Sequence, residues 1–177
     1  MILGENDLAY NANSHGTGSG EVHSSFVQPP LFEFCDRFGV DRFENITFPR
    51  KQCGKESKHC ITYGGKINPC FWSIPRHSYD TTVIFIGGVI AGEDHDRPSI
   101  GFEPDANRMI SEFGKRNKKA GKKTIVVMSI PGVVTFPWAD DVDAIIADFY
   151  GGDMMSEALL NVIYGDVNPS GKLPVTL

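Results

Sequence analysis

The run Thr81-Thr82-Val83-Ile84-Phe85-Ile86, followed by Gly87-Gly88, decides how this chain is read. It is continuously apolar and β-branched, with no polar alternation, so both of its faces need cover. A strand inside a parallel sheet has that requirement; a strand with one wet face alternates instead. Working outward, Pro104 sits at a helix start, and Ala106, Met109, Ile110 and Phe113 follow at helical spacing. Thr124-Ile125-Val126-Val127-Met128 is a second buried strand and Ala144-Ile145-Ile146-Ala147 a third. A last helix follows, with Asp153 placed to cap it, Met155, Ala158, Leu159 and Val162 as its expected inward stripe, and Gly165 to close it. Strands and helices in this order, with apolar strands throughout, predict an α/β layered sandwich: a mainly parallel sheet flanked by helices.

Toward the N-terminus the signal thins. Met1-Ile2-Leu3 reads as the inside of a strand, and Leu31, Phe32, Phe34, Cys35 and Phe38 recur at helical spacing ahead of Gly39. The loop His15-Gly16-Thr17-Gly18-Ser19-Gly20 invites comparison with a phosphate-binding loop, but no Lys-Ser/Thr follows it, and a turn between strand and helix accounts for it better. From Val40 to His77 the composition is mixed, with strand candidates such as 45–48. One domain over residues 1–177 is expected, a piece of a longer protein.

Composition narrows the partners. The 177 residues carry 22 acidic and 17 Lys or Arg side chains, a net charge of -5, which opposes a nucleic-acid partner held by phosphate neutralisation. The basic run Lys115–Lys123 falls at the end of a predicted helix, where positive charge suits the helix dipole. No stretch has the length of a membrane span. Cys35, Cys53, Cys60 and Cys70 are too sparse for a disulfide framework; free thiols or one loop disulfide both fit, and a metal site with His59 is the weaker alternative because zinc ligands pair more closely. Asn45-Ile46-Thr47 fits a glycosylation acceptor. None of this fixes a compartment.

In open parallel sheets, ligands gather where loops leave the carboxyl ends of the strands. The loop after the Val83–Ile86 strand is the richest in chemistry: Gly92-Glu93-Asp94-His95-Asp96-Arg97 holds three carboxylates, a histidine and a guanidinium. Crowding raises at least one carboxyl pKa while the arginine lowers its partner's, which is how a site separates an acid from a permanently ionised neighbour. From the residues alone, a surface loop tied by an Asp96–Arg97 or Asp94–Arg97 ion pair is the simpler account. His95 by itself is a solvated loop histidine, and Trp72 and Trp138 fit a sugar ring, but aromatic residues of this kind more often pack in the core or on its edge.

These residues resemble the family 3 glycoside hydrolases, the β-glucosidase family. Gly92-Glu93-Asp94-His95-Asp96-Arg97 is similar to its Gly-Glu-x-x-Asp-Arg segment, and the likeness continues through Ser129-Ile130-Pro131-Gly132, Pro137-Trp138-Ala139 and Ile145–Gly152 into Gly165-Asp166-Val167-Asn168-Pro169-Ser170-Gly171-Lys172-Leu173-Pro174. It is close from residue 80 onward and vague from 40 to 78. The resemblance implies the family's C-terminal sandwich domain, working beside an N-terminal (β/α)-barrel that supplies an aspartate nucleophile, on a β-linked glucoside or oligosaccharide, with no cofactor or metal. It carries the general acid/base onto Glu93 and a positioning role onto Asp96 and Arg97. Two departures stand out: Asp94, where the family has a small residue, and Gly151-Gly152-Asp153-Met154-Met155-Ser156 in place of its Pro-Gly-Gln-Glu-Gly-Gly run; Met155 reads as core packing. Without a barrel segment the chain is expected to be inactive alone. A carbohydrate-binding or purely structural sandwich module is the alternative.

Overall fold

The structure, a computed structural model, describes residues 2–4, 30–38, 80–87, 92 and 96–177. Four parallel strands stand side by side in chain order: β1 (Ile2–Gly4), β2 (Thr81–Ile86), β3 (Lys123–Ser129) and β4 (Ala144–Asp148). Helix α1 (Pro30–Phe38) lies between β1 and β2 in sequence, α2 (Pro104–Lys119) between β2 and β3, and α3 (Met155–Tyr164) after β4; a 3-10 turn, Ala139–Asp141, leads into β4. The expected layered α/β sandwich is the fold observed.

The apolar runs are explained by what covers each face. Ile84, Ile86, Val126 and Met128 meet Ala106, Ile110 and Phe113 of α2, with Ile130, Val134 and Trp138 completing that layer. The opposite side chains, Val83, Phe85 and Val127, pack with Phe34 of α1 and with Leu159 and Leu160 of α3. Burying each such side chain fully contributes about 1.5–3 kcal/mol, so a strand with cover on both sides does best when every position is apolar. Two threonines break the apolar run at the amino end of the sheet. Thr82 and Thr124 are in register and fully buried, and both accept hydrogen bonds from the Asn117 side-chain amide of α2, at 3.0 and 2.9 Å. This satisfied triad anchors the end of α2 to the sheet.

Helix α2 begins at Pro104, as its sequence predicts, with the Asn107 side chain donating to the Phe102 carbonyl at 2.9 Å. Gly114 lies where α2 crosses the 3-10 turn, with the Asp141 carbonyl in the space a Cβ would take. Two expectations for α3 need correction. Its N-cap position falls at Met154, one residue after Asp153, and the Met154 side chain makes no cap hydrogen bond. Its buried stripe is Met155, Ser156, Leu159 and Leu160, while Ala158 is exposed and Val162 half-buried. The helix is apolar nearly all round, so periodicity alone left the inward face underdetermined. Met155 is core, as expected, and Gly165, at a φ of 78°, ends the helix in the left-handed conformation. Arg37 of α1 pairs with Asp166 and donates to Asn161 Oδ1 at 3.0 Å, tying the two helices of this face together.

Trp138 is wholly buried, its indole N–H donating to Asn107 Oδ1 at 2.8 Å, which makes it a core residue and removes it as a sugar platform. Trp72, Asn45, His59, His95, the glycine-rich loop and three of the cysteines lie outside the described residues.

Candidate functional site

Parallel pairing puts the carboxyl ends of all four strands on one edge, and the loops leaving β2, β3 and β4 meet there. Glu93, together with Asp94 and His95, lies outside the described residues. The residues flanking it are placed. Gly92 and Asp96 are exposed, and Arg97 is half-buried with its Nη1 donating to the Val133 carbonyl at 3.0 Å. Arg97 therefore ties the loop after β2 to the loop after β3. A parallel bridge between Gly101 and Thr135 strengthens that tie, with Thr135 N–H donating to the Ile100 carbonyl at 2.9 Å; within the loop after β2, Gly101 N–H donates to Ser99 Oγ at 3.0 Å. Among the described residues no hydrogen bond or ion pair joins Asp96 to Arg97. Of the two residues expected to position the loop, Arg97 makes the contact to the Val133 carbonyl and Asp96 makes none among the described residues.

Two residues that sequence reasoning passed over lie on the same edge. Ser129 ends β3 and Asp148 ends β4, and they are register partners, with Ile130 N–H donating to the Asp148 carbonyl at 2.9 Å. Ser129 Oγ and Asp148 Oδ2 are both buried without a hydrogen-bond partner among the described residues. Burial pushes the Asp148 carboxyl from 3.8 to about 6, against the opposing effect of a hydrogen bond from the Gly151 backbone. Gly151 is needed there: a Cβ would stand 2.9 Å from Asp148 Oδ1 and 3.1 Å from Met155 Cγ. Between them Tyr150 is half-buried at a φ of 64°. Partial burial raises its phenol above the ordinary value; the Arg97 guanidinium pulls the other way and the Asp148 carboxylate adds to the rise. The signal for Asp148 was available in the sequence, as a carboxylate closing an otherwise apolar strand.

The edge also shows apolar residues to solvent. Ile100, Val133 and Met154, from the loops after β2, β3 and β4, are 48%, 37% and 53% exposed. Among the described residues no three metal-ligating side chains come together, and no helix is long and apolar enough to cross a membrane.

A parallel sheet flanked by helices, with charged and polar groups collected on its carboxyl edge, defines an α/β sandwich domain. The sequence model of the glycosyl hydrolase family 3 C-terminal domain matches residues 1–177, and the chain belongs to that family. Curated relatives include a protein of Aspergillus flavus named probable β-glucosidase I, 38% identical over 84 residues, which covers 48% of this chain and 10% of that protein. A β-glucosidase of Kluyveromyces marxianus is 30% identical over 101 residues, covering 57% of this chain and 12% of that enzyme. The chain thus aligns with about a tenth of the length of these relatives. Among solved structures, β-glucosidase 3B from Thermotoga neapolitana in complex with α-D-glucose superposes with a TM-score of 0.67 at 22% identity, covering 99% of this chain and 27% of that one, a likeness of fold.

Proposed function

We propose that this chain is the acid/base-bearing sandwich domain of a retaining β-glucosidase, whose nucleophile comes from a (β/α)-barrel elsewhere in a longer protein. One observation carries the reading: Arg97, the last residue of the Gly-Glu-x-x-Asp-Arg segment, is pinned through its Nη1 to the Val133 carbonyl of the loop after β3, on the edge where ligands gather in parallel sheets. The names of the relatives, all β-glucosidases in the matches above, support the substrate class. The apolar rim of Ile100, Val133 and Met154 suits a surface that another domain covers.

In a retaining glycosidase two carboxyl groups stand about 5–5.5 Å apart across the scissile bond. Glu93 protonates the departing glycosidic oxygen as the barrel's carboxylate attacks the anomeric carbon, then takes a proton from the water that releases the sugar. Arg97 holds the loop through its bond to the Val133 carbonyl. A (β/α)-barrel, the 177 residues being one sandwich domain beside it, completes the pair, so these residues alone give no turnover.

Leaving-group dependence in the intact parent protein tests this. Acid catalysis matters most when the leaving oxygen is basic, so Glu93→Ala slows disaccharide cleavage by about 10²–10⁴-fold while glycosylation by an activated aryl β-glucoside suffers far less. Equal damage to both substrates points instead to a sandwich that only supports or binds.

A further inference from the structure

Tyr150 is the one non-glycine residue with a positive φ among those described, at 64°. The left-handed region costs an L-residue roughly 1 kcal/mol or more, and glycine would avoid that cost. The chain does place glycines at the next two positions, yet keeps a tyrosine here. What holds it is the compressed turn from Asp148 to Gly152. The Gly151 backbone hydrogen-bonds the Asp148 carboxylate, and the absent Gly151 Cβ lets Asp148 and Met155 close in from both sides. Such strain persists where the surroundings over-determine it, and it concentrates at ligand-contacting sites.

The turn brings Tyr150 to the carboxyl edge. Its neighbour Phe149 packs against the core, whereas Tyr150 remains half-buried, in the field of both Arg97 and Asp148. On the same edge, at the ends of β3 and β4, are the buried Ser129 hydroxyl, 8% exposed, and the buried Asp148 oxygen, neither with a partner among the described residues. A part-exposed aromatic ring in the field of a guanidinium and a carboxylate matches the two-sided chemistry of a pyranose, which has an apolar C–H face and a rim of hydroxyls.

The geometry points to Tyr150 as a sugar-contacting residue, its ring held by the Asp148–Gly152 turn against the apolar face of a pyranose bound at the carboxyl edge. This rests on the proposal that the edge receives a β-glucoside. Neither Glu93 nor any group of the barrel is asked to do this work.

The test uses the intact parent protein with Tyr150→Phe, Tyr150→Ala and Tyr150→Gly, reading glucose affinity by calorimetry, KM and kcat on an aryl β-glucoside, and thermal midpoint. Loss of the ring in the Ala and Gly variants weakens glucose binding and raises KM about tenfold, with KM rather than kcat taking the larger share; Tyr150→Phe, which keeps the ring, loses about two- to threefold. Tyr150→Gly, free of the left-handed cost, melts above Tyr150→Ala and so supplies a folded ringless protein. If Tyr150→Gly is folded and binds glucose and substrate like the parent, the contact is overturned and the activity stands. If the parent binds glucose through Tyr150 but cleaves no β-glucoside, the contact stands and the activity fails. A parent that binds no glucose overturns the contact as stated.

Discussion

Ser129 and Asp148 face each other in register at the carboxyl ends of β3 and β4, and each keeps a buried oxygen without a hydrogen-bond partner among the described residues. An unpaired buried carboxylate is costly, and the cost shows as the rise of Asp148 from 3.8 to about 6. Below 3.8 the carboxyl is protonated in both folded and unfolded chains, and nothing is lost. As pH rises from 3.8 through about 6, the folded protein holds a proton that the unfolded chain has released, so stability falls, and the loss is complete above about 6.

Asp148→Asn keeps the shape and removes the charge. It is expected to stabilise the protein by on the order of 1–3 kcal/mol near neutral pH and to flatten the decline between 3.8 and about 6. Denaturant unfolding across that range checks it. A variant whose stability falls with pH as steeply as the parent's shows that the slope comes from another group.

Asp143, at the amino end of the sheet, behaves oppositely. Its carboxylate accepts from Lys123 Nζ at 2.8 Å and from the Thr124 backbone N–H at 2.9 Å, and these two bonds hold its pKa below 3.8. That contribution is present above 3.8 and lost as pH falls through the folded value. Asp143→Ala deprives the Thr124 N–H of its acceptor and should cost about 1 kcal/mol at neutral pH. Lys123→Ala, which removes only an exposed partner, should cost less. Equal losses, read from urea midpoints, count against the backbone bond as the main contribution.

Gly114 offers a sharper test of packing. In an exposed helix, Gly→Ala gains about 1 kcal/mol of propensity. Here the added Cβ meets the Asp141 carbonyl oxygen and stands 3.1 Å from Val142 Cγ1, backbone and side chain of the turn that leads into β4. Overpacking of this kind costs about 1–3 kcal/mol, so Gly114→Ala should lower the melting temperature. A raised melting temperature shows that α2 and the turn separate freely.

The strands were legible because a strand covered on both faces has to be apolar throughout, and β2 and β3 carry that demand openly; β4, expected to be buried as they are, stands at the edge of the described sheet with Ala144 exposed and 145–148 half-buried. Helix α2 was legible for the converse reason, since one face is wet. The inward face of α3 was not, because Ala158 and Val162 are as apolar as the Leu160 that is buried. The site divides along a similar line. Gly92–Arg97 crowds its charges into consecutive positions, which any reading along the chain finds. The Ser129–Asp148 pair exists only through the register of two strands, and the left-handed Tyr150 only through the compression of its turn. Neither relation is a pattern in one dimension.

Azide tests whether Glu93 is the general acid/base of a retaining mechanism. In the intact parent protein carrying Glu93→Ala, an activated aryl glucoside still forms the glucosyl-enzyme, and release then stalls because water has lost its base. Azide needs no deprotonation. Adding it should restore turnover of the aryl β-glucoside and yield β-glucosyl azide, the retained configuration, with rescue absent in the parent carrying Glu93. If azide leaves the variant's turnover unchanged, or if the variant cleaves disaccharides within a few-fold of the parent without it, Glu93 is not the acid/base and the sandwich serves the site some other way.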